Sequence, residues 1–132
     1  MISLFLAVAI WSLNVYDARV VSVTDGDTVK VVVTLWVSQE LSTSIRVRGV
    51  DTPETVGKCE SERRLAQKAK VRVAELLPVN AHVTVSNIEN DKYGGRYVAD
   101  IRLRDGRSLS ALLISEGLAR AYDGGKKSNW CV

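Results

Sequence analysis

The sequence predicts an α+β fold dominated by strands: a five-stranded barrel of the OB type with two to three packed helices. Three observations carry that expectation. Two β-branched runs flank an Asp-Gly pair in "ARVVSVTDGDTVKVVVTLWV" (18–37), the strongest short hairpin signal. A single long amphipathic run interrupts the strand pattern at 59–78. The strands fall as three before that run and two after it, joined by short turns, which is the order of a small antiparallel barrel.

In chain order, residues 1–16, "MISLFLAVAIWSLNVY", contain no charged side chain, so every charge lies in 17–132, which the sequence marks as the domain. The run from Ile2 to Leu13 is too short to span a bilayer and has the length of a secretory h-region. No Lys or Arg precedes it, and no small-x-small cleavage pattern follows. It predicts an exported protein, periplasmic, secreted or membrane-anchored; an apolar arm packed on the domain is the other reading. The hairpin follows, then "TSIRVRGV" (43–50), where Ile45 and Val47 alternate with Arg46 and Arg48 as in a strand with one face inward. "CESERRLAQKAKVRVAELLP" (59–78) is the clearest helix, with Leu65, Ala69, Val73 and Leu76/Leu77 as its apolar stripe and Pro78 as its stop. "AHVTVSNI" (81–88) and "RYVADIRL" (96–103) are two more strands around the turn-rich "ENDKYGG". "SLSALLISEGLA" (108–119) is a short helix ended near Gly117, and the remainder reads as an irregular tail.

Composition bounds the function. A chain of 132 residues, 46% hydrophobic and 25% charged, is one ordinary globular domain with no repeat or low-complexity tract. A net charge of +3 mildly favours nucleic acid or another anion as partner. Cys59 and Cys131 are far apart and show no CxxC spacing, which argues against zinc. They are either two buried thiols or, in an exported protein, a disulfide tying the tail to the body. The sole histidine, His82, opens a strand away from every motif and reads as structural or exposed.

The chemistry lies in the acids. Asp25-Gly26 serves the hairpin turn, but Asp27 is surplus to it, and Asp is depleted in strands. In "GVDTPET" (49–55), Asp51, Pro53 and Glu54 have the spacing of a helix cap. No helix follows at once, because Thr55, Val56 and Gly57 come next and "CESERR" supplies its own acids to the helix that starts near Glu60. Asp27, Asp51 and Glu54 therefore sit in loops that follow β-runs. Hard oxygen ligands without His or Cys suit Ca²⁺ or Mg²⁺. Strict alternation puts Arg46 and Asp51 on opposite faces, so Gly49 is expected to mark a bulge that turns them together. A cation, a carboxylate base and fixed guanidiniums are the parts for in-line attack at a phosphodiester; a salt-bridge network is the structural alternative for the same charges.

Four stretches, "VTDGDTVKV", "IRVRGVDTPET", "DKYGGRYVADI" and "LISEGLARAYDGGKKSNWC", resemble in order and spacing the staphylococcal (micrococcal) nuclease, or thermonuclease, family, over about Val20 to Cys131. The likeness is to its exported bacterial type. The resemblance implies an OB barrel and calcium held by the carboxylates of Asp27 and Asp51 and the backbone carbonyl of Thr52. It implies Glu54 as general base on the attacking water and Arg46 as a guanidinium on the phosphate. The family's second arginine directly follows "KYG"; here an extra glycine intervenes, so Arg96, one position later, is its counterpart. Tyr93 and Tyr122 match tyrosines that line the nucleotide pocket; Lys92 either contacts phosphate or is simply solvated. Lys126 and Lys127 are read as a basic tail adding non-specific phosphate attraction. The implied activity is Ca²⁺-dependent hydrolysis of DNA and/or RNA with little sequence specificity, leaving 3′-phosphate ends, by a monomer with no obligate protein partner. The alternative is a non-catalytic OB-type module that binds nucleic acid or protein. Such modules tend to lose the acids and arginines; this chain keeps Asp27, Arg46, Asp51 and Glu54. The loop after Glu54, "TVGKCESE", is shorter than in the best-known member.

Overall fold

The structure is a computed structural model and describes residues 14–131. The apolar run at 1–13, and with it the expectation of an export or anchoring segment, lies outside the described residues. Five strands close a barrel in the order β1-β2-β3-β6-β5, with β1 Val15–Asp25, β2 Thr28–Trp36, β3 Gln39–Val47, β5 His82–Asn90 and β6 Tyr97–Leu103. Two short strands, β4 Val50–Asp51 and β7 Arg120–Ala121, form a separate pair. Among the described residues the helices are α1 Glu60–Leu76 and α2 Leu109–Ser115. This mostly-β barrel with two helices is the predicted α+β class.

Closure depends on β1. Its first half pairs with β5, Val15 opposite Ser86 and Tyr16 opposite Val85. Its second half pairs with β2, and register shifts between Val20 and Ser22 and between Val23 and Asp25 bend it from one neighbour to the other. Val15 and Tyr16, grouped by the sequence with the uncharged segment, are therefore rungs of the barrel. Parallel pairing of Ile45, Arg46 and Val47 with Tyr97, Val98 and Ala99 completes the circle. The core is the inward set that alternation implies: Val20, Val29, Val31, Ile45, Val47, Val83, Val85, Ala99 and Ile101 are all buried.

Helix α1 packs its buried face, Glu62, Ala66, Ala69, Val73 and the capping Leu77, toward this core. Leu65, expected in the stripe, is only half-buried. The buried positions advance by four, three, four and four residues, a helical stripe that starts at an acid and leaves Leu65 on its edge. Ala69 comes so close to the β1–β2 turn that a Cβ on Gly26 would lie 3.0 Å from its Cβ and 3.3 Å from Thr52 Oγ1. Glycine at 26 is thus a packing requirement, and it sets the turn that carries Asp25 and Asp27 against α1 and the Thr52 segment. The other end of the β2 hairpin is different: Trp36 and Val37 are largely exposed.

Candidate active site

Asp27 follows Gly26 at the β1–β2 turn and is buried. Thr28 Oγ1 donates to Asp27 Oδ1 at 2.9 Å, and Arg46 Nη2 lies 3.6 Å from Asp27 Oδ2. Arg46 arrives from β3. Its guanidinium donates to the carbonyls of Val47 (2.9 Å) and Val50 (3.1 Å), on either side of Gly49, and lies 5.6 Å from the centroid of the Tyr122 ring. The expected bulge at Gly49 is a turn between β3 and β4, with φ at +81°, a conformation glycine adopts without cost. Because the chain reverses there, Arg46 folds back over its own strand end, and alternation no longer separates it from the segment of Asp51.

Asp51 sits on β4, opposite Arg120 of β7, and is 1% exposed. Its Oδ2 accepts the Ser128 N–H at 2.8 Å and the Trp130 indole N–H at 3.2 Å. Thr52 is as deeply buried, and its Oγ1 has no hydrogen-bond partner among the described residues. Glu54 is half-exposed on the loop that follows, and no helix starts at that point: α1 begins at Glu60, capped by Cys59. The cap reading of "DTPE" is thereby excluded by geometry as well as by pattern.

Of the tail, the sequence offered only the Cys59–Cys131 tie, as one of two readings, and not its contacts with the acids. Cys59 and Cys131 are joined in a disulfide, Arg120 stacks 4.1 Å from the Trp130 ring centroid, and residues 127–130 cross Asp51. Lys127, read as part of a basic tail, hydrogen-bonds Glu54 Oε1 and lies 3.7 Å from Asp51 Oδ1. Its hydrogen bond holds the Glu54 carboxyl below the usual glutamate range, against the opposing effect of partial burial. Burial pulls the Lys127 ammonium down, but the Glu54 hydrogen bond and the charges of Glu54, Asp51 and Asp27 together hold it above its ordinary value. One ammonium thus senses all three predicted carboxylates.

The turn at 91–96 delivers the second arginine. Gly94 and the extra glycine, Gly95, both have positive φ, +74° and +76°. Arg96 pairs through Nε with the buried Asp91, and its Nη1 lies 3.4 Å from Thr28 Oγ1, the group bonded to Asp27. Arg96 therefore reaches the Asp27 end of the barrel with the longer turn. Its hydrogen bond holds Asp91 below the usual aspartate range. Lys92 and Tyr93 are on the same turn but face outward; Tyr93 is 80% exposed and its ring lies 5.2 Å from Lys92 Nζ. Tyr122 is half-buried beneath Arg46, its hydroxyl donating to the Gly125 carbonyl at 2.8 Å.

Asp25 is a fourth acid in this cluster. Burial, then the charge of Asp27, push its carboxyl up from the ordinary value. The cluster of Cys59, Glu62 and Cys131 brings ligand-type atoms within 4.8 Å of one another, but both sulfurs are consumed in the disulfide. The donors around Lys127 are of a different kind: carboxylates without His or Cys, beside an unpartnered buried hydroxyl, with a lysine ammonium already drawn among them. That set fits a hard divalent cation. Sequence reasoning missed Lys127, Ser128 and Trp130, whose contacts span more than seventy residues, and it missed Asp91 and Glu62. The Cys59–Glu62 spacing is that of a capping box and was the one local signal for Glu62.

A family profile described as staphylococcal nuclease homologue matches residues 44–130, well over half of the chain. No curated protein matches it.

Proposed function

Since the chain belongs to the staphylococcal nuclease homologue family, whose domains are nuclease-like or nucleic-acid-binding, we propose that it is a Ca²⁺-dependent phosphodiesterase. In this reading it cleaves DNA and/or RNA with little sequence specificity and leaves 3′-phosphate ends. The observation that carries the reading is the convergence of three carboxylates and two guanidiniums on one end of the barrel. Asp51 and Glu54 meet Lys127 Nζ, Arg46 lies on Asp27, and Arg96 lies on Thr28, which is bonded to Asp27. A bare binding surface has no use for buried acids, which repel a phosphate backbone.

Asp27, Asp51 and the Thr52 carbonyl would hold the calcium ion, which when bound supplies Lewis-acid polarisation of a phosphoryl oxygen. Glu54 accepts a proton from the attacking water as its oxygen bonds to phosphorus. Arg46 and Arg96 donate hydrogen bonds to oxygens that gain charge as the P–O5′ bond breaks, Arg96 on the leaving side. Tyr122, fixed beneath Arg46, supplies a face for a nucleotide, and Tyr93 with Lys92 extends that surface outward. The protein is read as an exported monomer; the Cys59–Cys131 disulfide supports export, because such bonds persist in oxidising compartments.

The test is hydrolysis of plasmid and of RNA with Ca²⁺ against a chelator, beside Glu54→Gln. Chelation should abolish cleavage, and Glu54→Gln should lower the rate by about 10²–10⁴-fold. Equal cleavage in chelator, or an unaffected variant, overturns the mechanism, and an absence of cleavage under every condition leaves the binding module.

A further inference from the structure

Glu62 is a buried carboxylate at the third position of α1, 8% exposed. A glutamate there ordinarily closes a capping box by reaching back to the N-cap N–H. Half of that motif is present: Cys59 Sγ accepts the Glu62 N–H at 3.4 Å. The side chain does something else. Its Oε1 accepts the Lys58 N–H at 3.2 Å, and its Oε2 accepts the Glu54 N–H at 3.1 Å, eight residues upstream. Between these points the Gly57 N–H donates to the Glu54 carbonyl at 2.9 Å. The turn presses so closely on the carboxylate that a Cβ at Gly57 would lie 2.6 Å from Glu62 Cγ and Cδ. The loop from Glu54 to Lys58 is folded around this one side chain.

The helix has no need of the Glu54 bond, and the sulfurs beside Glu62 are tied in the disulfide. We infer that Glu62 is a positioning residue for Glu54: it fixes the backbone from which the proposed base projects. The inference rests on the assignment of Glu54 as the base. Lys127 meets the Glu54 carboxylate itself, while Glu62 holds the backbone from which it projects.

Glutamine has one acceptor oxygen, so Glu62→Gln keeps one N–H and sets its own NH₂ against the other. The variant should lower kcat about 10–100-fold, leaving KM and the calorimetric affinity for Ca²⁺ within about two-fold. Amide exchange at Glu54 and Lys58 should quicken while that of barrel residues such as Val31 is unchanged. On a Glu54→Gln background the same substitution should cost less than about two-fold, because the group it positions is gone. An equal loss of kcat on both backgrounds, or exchange that quickens throughout the barrel, overturns the inference. If Glu54→Gln itself leaves the rate intact, the mechanism proposed above fails and takes this inference with it. Should Glu62→Gln not fold, Gly57→Ala displaces the loop from Glu62 without removing its charge, and the same two criteria apply to it.

Discussion

Glu54 and Arg96 reach one end of the barrel from two loops that are held in place by different means. The loop from Thr52 to Lys58 is clasped from outside, by Glu62 of α1, by Lys127 of the tail, and through the disulfide at Cys59. The 91–96 turn holds itself: Asp91 N–H donates to the Arg96 carbonyl, Gly94 N–H to the Asp91 carbonyl, and the Asp91 carboxylate pairs with Arg96. One loop depends on Glu62 and on tail contacts more than seventy residues away, the other on six consecutive residues. A change remote in sequence should therefore disturb the Glu54 side of the site and spare the Arg96 side.

The largest break in the comparison comes from the self-held turn. Arg96→Ala should lower kcat by about 10²–10³-fold, the loss typical of a group that stabilises transition-state charge. Asp91→Asn removes only the partner that orients it, and should cost about 10-fold. Steady-state kinetics on one substrate decide this, and equal losses in the two variants would show that Asp91 does more than orient Arg96.

Removing the disulfide tests the other side. Replacing both Cys59 and Cys131 by Ser should lower stability by about 2–5 kcal/mol, read as a drop in the urea midpoint. The same variant should speed amide exchange at Glu54 and Ser128 but not at Gly94. Equal loosening at Gly94 would mean that the two loops are one cooperative unit.

This contrast also explains what could be read from the sequence. The barrel was legible because β-branched alternation, the Asp-Gly turn and Pro78 are local signals, each correct within a few residues. Asp27, Asp51 and Glu54 stood out as a set, since neither turn nor cap chemistry accounted for them, while Thr52 was added by the family resemblance alone. Arg96 came from the family resemblance, one position late; both glycines of the longer turn take positive φ, and the arginine falls immediately before β6. The tail was not. Nothing periodic in "DGGKKSNW" places Lys127 on Glu54 or Trp130 on Asp51, and those contacts exist only once the barrel has closed. Glu62 was hidden for the opposite reason: an acid in the first turn of a helix already had an adequate local explanation.

A smaller effect sharpens the local half of the comparison. Gly94→Ala meets no atom within 4 Å, so its cost is conformational alone, from φ at +74°. The expected loss is about 1–2 kcal/mol of stability, with a reduction of kcat of a few-fold as Arg96 shifts. Stability lost without any change in kcat would show that Arg96 is held by Asp91 irrespective of the turn.

The smallest effect concerns pH, and there the site's acids oppose one another. Glu54 and Asp91 are held below their ordinary values, first by the hydrogen bonds from Lys127 and Arg96. Each contributes stability that is full above the ordinary carboxylate value and is lost as pH falls through the depressed one. Asp25 has the reverse sign. Its carboxyl is raised by burial and then by Asp27, so its contribution is favourable at low pH and is lost as pH rises through the raised value. Acidifying the calcium-free protein from neutrality should therefore first relieve Asp25, giving a rise in the urea midpoint worth less than about 1 kcal/mol. Further acidification should then remove the Glu54 and Asp91 contributions together. Asp25→Asn keeps an acceptor for the Gly26 N–H, which now donates to Asp25 Oδ1 at 3.1 Å, and deletes only the charge. It should abolish the early rise and leave the later fall in place. A rise that persists in that variant would show that Asp25 is not its source.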